Sequence, residues 1–290
     1  VICIGQAGEA LVKISLALVD KMSHLGRGGL GAVMGSKKLK AIVVNGTQGI
    51  KMANPELVQS IFESVMARAL SDRNRERWIK YGLMGVADGW IDNAVILRNN
   101  KREAPPADEA KATYGLKAWN EIVETIPWAG PSCITCDKNI LRIKKGEFAG
   151  LETTASVPIS PSAYIGIPLG IDINSAVKCH DLFQRYGIDE LDGAYLIDLL
   201  MDLQQKGLIT SEQLGMELKP GDRDAVMKAI EKIANREGFW DTVAEGIPGV
   251  TGKIKGATKY VLQQKGMSRV MDGRASLGID TIGYLTNPRG

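Results

Sequence analysis

The chain has 290 residues, of which 44% are hydrophobic and 24% are charged, and its formal net charge is +3. This is an ordinary globular composition, long enough for one large domain or two smaller ones. The small net charge gives no reason to expect a nucleic-acid partner. No apolar run approaches the roughly 20 residues that a membrane helix needs.

The N-terminus lacks the features of an export signal. Residues 1–5 read Val-Ile-Cys-Ile-Gly, with neither a basic start nor a cleavage-like site. Because an apolar strand at the very first residue is unusual, we expect further sequence to precede it. The cysteines are few, which indicates a reducing, cytoplasmic setting. They are Cys3, Cys133, Cys136 and Cys179.

Strands are predicted only near the start of the chain, over residues 1–5 and 39–45. Within the second of these, residues 41–44 read Ala-Ile-Val-Val, which suits a short buried strand. Asn54 and Pro55 are typical of a helix N-cap and first helical residue. The helix that they begin has an apolar face formed by Leu57, Ile61, Val65 and Ala69.

Helices dominate the second half. Residues 101–113 hold charges and two adjacent prolines, so we predict a surface loop and a domain boundary there. Each helix beyond it is followed by a glycine suited to a left-handed C-cap, and the predicted ranges are 174–186, 191–206 and 222–236. The sequence therefore predicts an α+β fold, with the end of a β-rich domain in residues 1–47 and a mainly helical domain in 48–290.

A glycine-rich segment at residues 26–31 reads Gly-Arg-Gly-Gly-Leu-Gly. No clear strand precedes it and no acid lies in 46–51, which excludes a dinucleotide fingerprint. Residues 35–37, Gly-Ser-Lys, lack the order of a phosphate loop. Two interpretations stay open. Backbone N–H groups beside Arg27 suit a phosphate or another planar anion, or the glycines pack a tight turn and Arg27 forms a salt bridge.

A longer stretch around this segment carries a resemblance. Residues 26–42 are similar to a signature of the aldehyde ferredoxin oxidoreductase family, and residues 1–9 resemble the strand and Gly-x-Ala-Gly-Glu that lead into it. Shorter matches follow in family order, so the resemblance covers nearly the whole chain. They are residues 81–82, 97–99, the region of Cys133, and residues 169–172, 186–189, 206–209, 234–238 and 289–290.

The resemblance implies a tungsten or molybdenum ion held between two pterins, with an iron–sulfur cluster nearby. It implies that Arg27, Gly28 and Gly29 contact a pterin or its phosphate, and that residues 1–47 end a pterin-binding domain. It also implies an aspartate that accepts hydrogen bonds from a pterin ring. Asp189 is the first candidate and Asp192 is its competitor. Asp189 also suits the N-cap of the helix that follows, and both roles can hold at once.

Cys133 and Cys136 have the two-residue spacing of a metal clamp, and a [4Fe-4S] cluster needs about four such ligands. The resemblance implies that this pair binds the cluster. In the family a third cysteine follows four residues later, where this chain has Ile140. A redox disulfide, half of a zinc site, or two unrelated thiols stay open as alternatives.

The resemblance also implies a glutamate beside the metal that assists proton transfer, for which a buried carboxylate is suited. Glu152 is the candidate, although an ungapped count back from residues 169–172 ends near Ser160 instead. The alternative for Glu152 is a surface or capping acid. Of the two histidines, His24 and His180, His180 is predicted to lie at the surface or to contact a partner.

The function implied by the resemblance is aldehyde oxidation that passes electrons to ferredoxin or to an iron–sulfur subunit. A low-potential reduction of an acyl-CoA substrate is a second family activity. The rival hypothesis is a structural or assembly subunit without a working metal site, suggested by the missing third cysteine. Either way we expect an oligomer or a multi-subunit complex.

Overall fold

The computed structural model describes residues 1–93, 105–130 and 133–268. The helices are α1 (Gln6–Glu9), α2 (Leu30–Ser36), α3 (Pro55–Leu70), α4 (Arg75–Tyr81), α5 (Ala87–Asn93), α6 (Ala107–Tyr114), α7 (Leu116–Ile122), α8 (Ile167–Leu169), α9 (Ile173–Tyr186), α10 (Glu190–Gln205), α11 (Ser211–Leu214), α12 (Arg223–Asn235), α13 (Trp240–Ala244) and α14 (Gly246–Lys253). A π-helical turn, Pro161–Gly166, directly precedes α8. No described helix is long and apolar enough to cross a membrane.

The strands form antiparallel sheets of four, three and two members, in the orders β3-β2-β1-β4, β5-β6-β7 and β8-β9. Their bounds are β1 (Ile2–Ile4), β2 (Ala17–Val19), β3 (Ser23–His24), β4 (Ala41–Ile42), β5 (Val123–Pro127), β6 (Asn139–Ile143), β7 (Glu152–Ala155), β8 (Gln263–Gln264) and β9 (Met267–Ser268). The predicted α+β class is therefore confirmed.

Two hydrophobic clusters form the core. One joins α9, α10, α12 and α13 to the start of the chain, where Val12 is fully buried. The other packs β5, β6 and β7 against α5–α7 around Trp119, which is also fully buried. α9 contributes to both clusters, with Phe183 in the first and Val177 in the second. α9 therefore packs against both halves of the core.

The helix predictions for the second half are confirmed. α9 ends at Gly187, whose φ of 71° is the left-handed conformation that glycine adopts without strain. α12 differs in one detail, because Arg236 and not a glycine takes the left-handed cap position, with φ 55°. Its guanidinium bonds the carbonyls of Ala10 and Leu11, each at 2.6 Å, which compensates for that strain.

Two predictions for the first half are wrong. The strand over 39–45 shortens to β4, and Val43 and Val44 are 71% and 81% exposed. The loop predicted over 101–113 is helical from residue 107 onward, because α6 occupies that part. Residues 101–104 lie outside the described residues, and the domain boundaries at 47–48 and near 101–113 stay predictions.

α3 begins as predicted, since the Asn54 side chain accepts a hydrogen bond from the Leu57 N–H at 2.9 Å and Pro55 is its first residue. Its apolar face is nevertheless about half exposed, with Ile61 at 54% and Val65 at 50%. The cap and the helix propensity of its residues therefore define α3 more than packing does.

Candidate functional site

The glycine-rich turn lies between β3 and α2. Gly29 has φ +82°, and a Cβ built on it would lie 2.6 Å from the Lys13 carbonyl oxygen, so only glycine fits there. Gly28 has φ +104°, but a Cβ on it would meet no atom within 4 Å. The turn is thus packed against the protein at Gly29 and open at Gly28.

The backbone of the turn offers a row of hydrogen-bond donors. No described residue accepts a hydrogen bond from the N–H groups of Arg27, Gly28, Gly29 or Leu30. Successive N–H groups in a turn with left-handed residues form a concave site that favours anions. The N–H groups of residues 27–30 lie beside the open space at Gly28, and such a set of donors suits a phosphate.

The Arg27 guanidinium lies against the N-terminus of α10. Its Nε donates to Asp189 Oδ2 at 2.8 Å, and its Nη2 donates to Asp192 Oδ1. Ser268 on β9 accepts the other hydrogen bonds of this guanidinium, from Nη1 to its carbonyl at 2.9 Å and from Nη2 to its hydroxyl at 2.8 Å. The structure brings together three residues that sequence reasoning had singled out. It shows the salt bridge of the tight-turn alternative, whereas contact of Arg27 with a pterin stays a prediction.

Asp189 and Asp192 are 5% and 3% exposed and share one guanidinium. Burial, followed by the neighbouring Asp192 carboxylate, raises the pKa of Asp189 to about 7, although Arg27 opposes this shift. Asp189 also caps α10, since its Oδ1 accepts from the Leu191 N–H at 3.2 Å. The N-cap alternative is therefore confirmed, and a hydrogen bond from Asp189 to a pterin ring remains a prediction.

The raised pKa of Asp189 predicts how stability depends on pH. The folded state holds this proton more tightly than the unfolded chain, whose pKa is near 3.8. The stabilisation is therefore complete below that value and is lost as the pH rises through about 7. Asp189→Asn keeps a capping side chain but cannot ionise. We therefore expect urea unfolding of this variant to show a smaller loss of stability between pH 5 and pH 8 than wild type shows. The difference should be about 1.4 kcal/mol for each unit of pKa shift that the substitution removes.

Asp222→Asn is the matched control for that measurement. Asp222 caps α12 in the same way, accepting from the Ala225 N–H at 3.0 Å, but it is exposed. Its replacement should leave the slope of stability against pH unchanged. Equal slopes for wild type and Asp189→Asn would show that Asp189 does not hold a proton in the folded protein.

Cys133 and Cys136 lie in the connection between β5 and β6. Cys136 Sγ accepts a hydrogen bond from the Gly130 N–H at 3.3 Å, and a Cβ on Gly130 would lie 3.1 Å from that sulfur and 3.8 Å from Cys133 Cβ. Both cysteines therefore lie close to Gly130, and both are free thiols. Ile140, which stands where the family has a third cysteine, pairs with Ile126 on β5.

Within residues 1–93, 105–130 and 133–268, no three His, Cys, Asp or Glu side chains gather to hold a metal ion. Cys179 does not complete the pair, because it is fully buried in the helical core and burial raises its pKa to about 12. Binding of a cluster by Cys133 and Cys136 therefore stays a prediction.

Glu152 lies on β7 with its side chain 51% exposed. It accepts from Arg142 Nε at 2.6 Å, and the same arginine bonds Glu124 on the other neighbouring strand at 2.8 Å. This placement supports the surface-acid alternative, and catalysis by Glu152 stays a prediction. Ser160, where the ungapped count ends, is 2% exposed and hydrogen-bonds the side chain of Glu190.

The prediction that His180 lies at the surface is wrong. It is 1% exposed, with Nδ1 2.5 Å from Glu190 Oε2 and Nε2 2.9 Å from the Thr154 carbonyl oxygen. One sequence signal could have shown its burial, since it continues the helical stripe of buried residues Ile173, Ala176 and Val177. Glu190, which sequence reasoning missed, has no such signal because its partner comes from another helix.

His24 extends this polar region toward the glycine-rich turn. Its Nε2 lies 2.9 Å from Gln184 Oε1, one helical turn beyond His180, and its Nδ1 lies 3.3 Å from the Ser156 hydroxyl. β3 and α9 are therefore linked by polar contacts only three residues before Arg27.

Comparison with known families accounts for most of the chain. Residues 1–46 match the N-terminal domain of aldehyde ferredoxin oxidoreductase, and residues 60–290 match domains 2 and 3 of the same family. The tungsten-containing aldehyde ferredoxin oxidoreductase of Pyrococcus horikoshii is 27% identical over 293 residues, covering 99% of this chain and 47% of the relative. A second relative, the aliphatic sulfonate oxidoreductase, WOR-like subunit, of Pyrococcus furiosus is 29% identical over 92% of this chain and 43% of its own length.

A solved structure shares the fold. The active site complex BamBC of benzoyl coenzyme A reductase, in complex with 1,5-dienoyl-CoA, superposes with a TM-score of 0.74 and 22% identity. The match covers 92% of this chain and 42% of that chain. This chain thus spans about half the length of the curated relatives that it matches. Because the family's domains cover residues 1–46 and 60–290, the chain belongs to the aldehyde ferredoxin oxidoreductase family of oxidoreductases.

Proposed function

We propose that this chain is the central part of a tungstopterin-dependent oxidoreductase subunit, and that its cofactor lies against the glycine-rich turn and the N-terminus of α10. One observation carries the proposal. N–H groups at residues 27–30, which have no acceptor among the described residues, and the carboxylates of Asp189 and Asp192 meet around Arg27, although they are far apart in sequence. This combination complements a ligand with an anionic phosphate at one end and ring N–H donors at the other.

The residues of this chain have separate tasks in that arrangement. The N–H groups of Gly28 and Gly29 bind the anionic part of the pterin, and Arg27 orients Asp189 and Asp192 for the ring. When bound, the tungstopterin supplies two-electron chemistry, while the protein positions it and excludes competing reactions. Molybdenum is the alternative metal.

The reaction that we propose is oxidation of an aldehyde to the acid, with electrons passed to ferredoxin or to an iron–sulfur subunit. The Pyrococcus relatives that are named aldehyde ferredoxin oxidoreductases support this choice. Reduction of an acyl-CoA substrate is the second candidate, supported by the dienoyl-CoA in the BamBC structure. A multi-subunit assembly agrees with two relatives, since one is named a WOR-like subunit and the other an active site complex. The four free thiols suit a reducing cytoplasm.

A non-catalytic structural subunit is the rival function, and one observation favours it. The family pattern has three cysteines here, but this chain has only Cys133 and Cys136, because Ile140 stands in place of the third. Among the described residues, no three His, Cys, Asp or Glu side chains gather to hold a metal ion. Tungsten and iron analysis of the native protein, together with its full mass, separates the two functions. Bound tungsten and a mass near twice 31.3 kDa are expected for the enzyme. A metal-free protein of about 31.3 kDa would favour the scaffold.

The cysteine pair yields a further prediction. If Cys133 and Cys136 bind a [4Fe-4S] cluster, Cys136→Ser should remove most of the iron, because a cluster needs about four thiolate ligands. Tungsten should remain. Cys179→Ser is the control, since Cys179 is a buried core thiol and its replacement should leave the iron content unchanged. Full iron content in Cys136→Ser would exclude this pair as cluster ligands.

A further inference from the structure

The segment that carries Cys133 and Cys136 does not match the ligand set of a [4Fe-4S] cluster. Such a cluster needs about four thiolates, and the family pattern places three cysteines in this segment. Here Ile140 holds the third position, and its aliphatic side chain cannot ligate iron. Ile140 is also fixed on β6, the central strand of its sheet, where it pairs with Ile126 and Thr154. The chemistry of the two remaining thiols has to follow from their own geometry.

The two cysteines flank one short turn, whose middle residues are Ile134 and Thr135. Cα atoms at the two ends of such a turn lie less than about 7 Å apart, and a disulfide needs a Cα separation of about 4.4–6.8 Å. A Cβ built on Gly130 would lie 3.1 Å from Cys136 Sγ and 3.8 Å from Cys133 Cβ, so these two atoms are neighbours. The turn therefore brings the thiols close enough for a disulfide to form between them.

Hydrogen bonds hold this turn in place. Arg75 Nη2 donates to the Ile134 carbonyl at 3.2 Å and so ties the turn to α4. The Cys133 N–H donates to the Gly130 carbonyl at 3.3 Å, and the Gly130 N–H donates to Cys136 Sγ, also at 3.3 Å. Groups held beside each other react far faster than the same groups free in solution. The contacts of the turn thus favour a reaction between the two sulfurs.

The two thiols differ in their access to an outside reactant. Cys133 is exposed, whereas Cys136 is 7% exposed. Exchange begins when a thiolate attacks one sulfur of a disulfide, so access to that disulfide decides which cysteine reacts first. Cys133 is therefore the attacking residue, and Cys136 can react only with a sulfur that Cys133 already carries.

We infer that Cys133 and Cys136 form a dithiol site that exchanges with low-molecular-weight disulfides. The Cys133 thiolate attacks such a disulfide, whose S–S bond breaks as one thiolate leaves. The Cys136 thiolate then attacks the Cys133 sulfur and releases the second thiolate. The protein loses two electrons, the small disulfide gains them, and the two protein thiol protons pass to the released thiolates. Transient disulfides of this kind occur in reducing compartments.

This inference goes beyond the proposed function and does not depend on it. It departs from the cluster that the resemblance implies, because a thiolate that ligates iron is not free to form a disulfide. The test uses the native, tungsten-containing protein, reduced with dithiothreitol, freed of reductant under anaerobic conditions and treated with oxidised glutathione. Acid quenching and peptide mass spectrometry then locate each bond. In the wild type we expect a Cys133–Cys136 disulfide, no retained glutathione, and full reversal by dithiothreitol.

Serine variants separate the two steps. Cys136→Ser should stop at the mixed disulfide, with glutathione retained on Cys133, because no second thiol displaces it. Cys133→Ser should leave Cys136 unmodified, because Cys136 is buried. Cys179→Ser is the control, since Cys179 is 0% exposed and lies in the helical core, and this variant should form the same disulfide as the wild type.

Several outcomes would overturn the inference. They are a wild-type pair that does not react, glutathione retained on Cys133 in the wild type, and an adduct on Cys136 in Cys133→Ser. Iron or zinc that is bound by the wild type and lost in Cys136→Ser would assign the pair to a metal site instead. The wild-type peptide map decides the question even where a variant fails to fold. A native protein without tungsten would overturn the proposed function but would leave the disulfide result unchanged.

Discussion

Replacing Arg27 with alanine should remove most of the tungsten from the purified protein and lower its stability substantially. Asp189 and Asp192 are 5% and 3% exposed, and the substitution leaves both without their guanidinium. Breaking a buried ion pair typically costs about 3–5 kcal/mol. Loss of a group that orients the residues around a metal centre lowers metal affinity about 10–100-fold. Metal analysis per chain and urea unfolding measure the two effects.

Arg236→Ala is the matched control. The Arg236 side chain is 20% exposed, against 21% for Arg27, and it also pairs with two carboxylates. Those partners, Asp241 and Glu245, are 61% and 43% exposed, so water solvates them once the arginine is gone. Loss of the hydrogen bonds to the Ala10 and Leu11 carbonyls should still lower stability, but we expect full tungsten content. Full tungsten content in Arg27→Ala would count against the cofactor site at this turn.

The pH of the measurement sharpens the comparison. Arg27 lowers the pKa of Asp189, although burial and Asp192 still raise it to about 7. Without Arg27 the carboxyl is more easily protonated, so the destabilisation should shrink below neutral pH and grow above it. Arg236→Ala should lack this dependence, since its partner acids are exposed.

The parts of the fold that could be predicted are those encoded by local signals. Asn54 before Pro55 predicts the start of α3, because both side-chain capping and a fixed φ act within one turn. Gly187 predicts the end of α9 for the same reason, since the left-handed cap needs only that residue. Such signals do not depend on what the element packs against.

The wrong predictions depend on distant partners. The run Ala-Ile-Val-Val at 41–44 has strand composition, but only two residues of it find a partner strand, and Val43 and Val44 are left exposed. At residues 105–113 the prolines and charges suggested a loop. There Pro106 instead precedes the first turn of α6, with Asp108 and Glu109 in the favourable acidic positions. Composition alone cannot distinguish a charged loop from a charged helix start.

The residues of the candidate site were likewise predicted only in part. The resemblance pointed to Arg27, Asp189 and Asp192, and the structure brings them into contact. The His180–Glu190 pair was not predicted, because it joins α9 to α10 across the corner at Gly187. Neither residue belongs to a motif. Such pairs emerge only when the tertiary arrangement of the helices is known.

The two adjacent glycines of the turn allow a second test of the cofactor position. Both have positive φ, so alanine at either position costs about 1–2 kcal/mol in backbone strain. Gly29→Ala also places its Cβ 2.6 Å from the Lys13 carbonyl oxygen and forces the turn to move, so its stability should fall further. Gly28→Ala meets no atom within 4 Å, so only strain should affect its stability. If a pterin phosphate occupies that open space, the Gly28→Ala methyl group displaces it.

We therefore expect Gly28→Ala to lose most of its tungsten while unfolding at a urea concentration closer to that of wild type than Gly29→Ala does. The contrast separates a binding role from a packing role, because stability and metal content should change in different proportions for two neighbouring residues. Gly28→Ala with full tungsten would mean that the open space beside the turn is not the binding position. Tungsten loss that follows stability in both variants would mean that the glycines serve the turn alone, and the row of N–H groups at residues 27–30 would then need another partner.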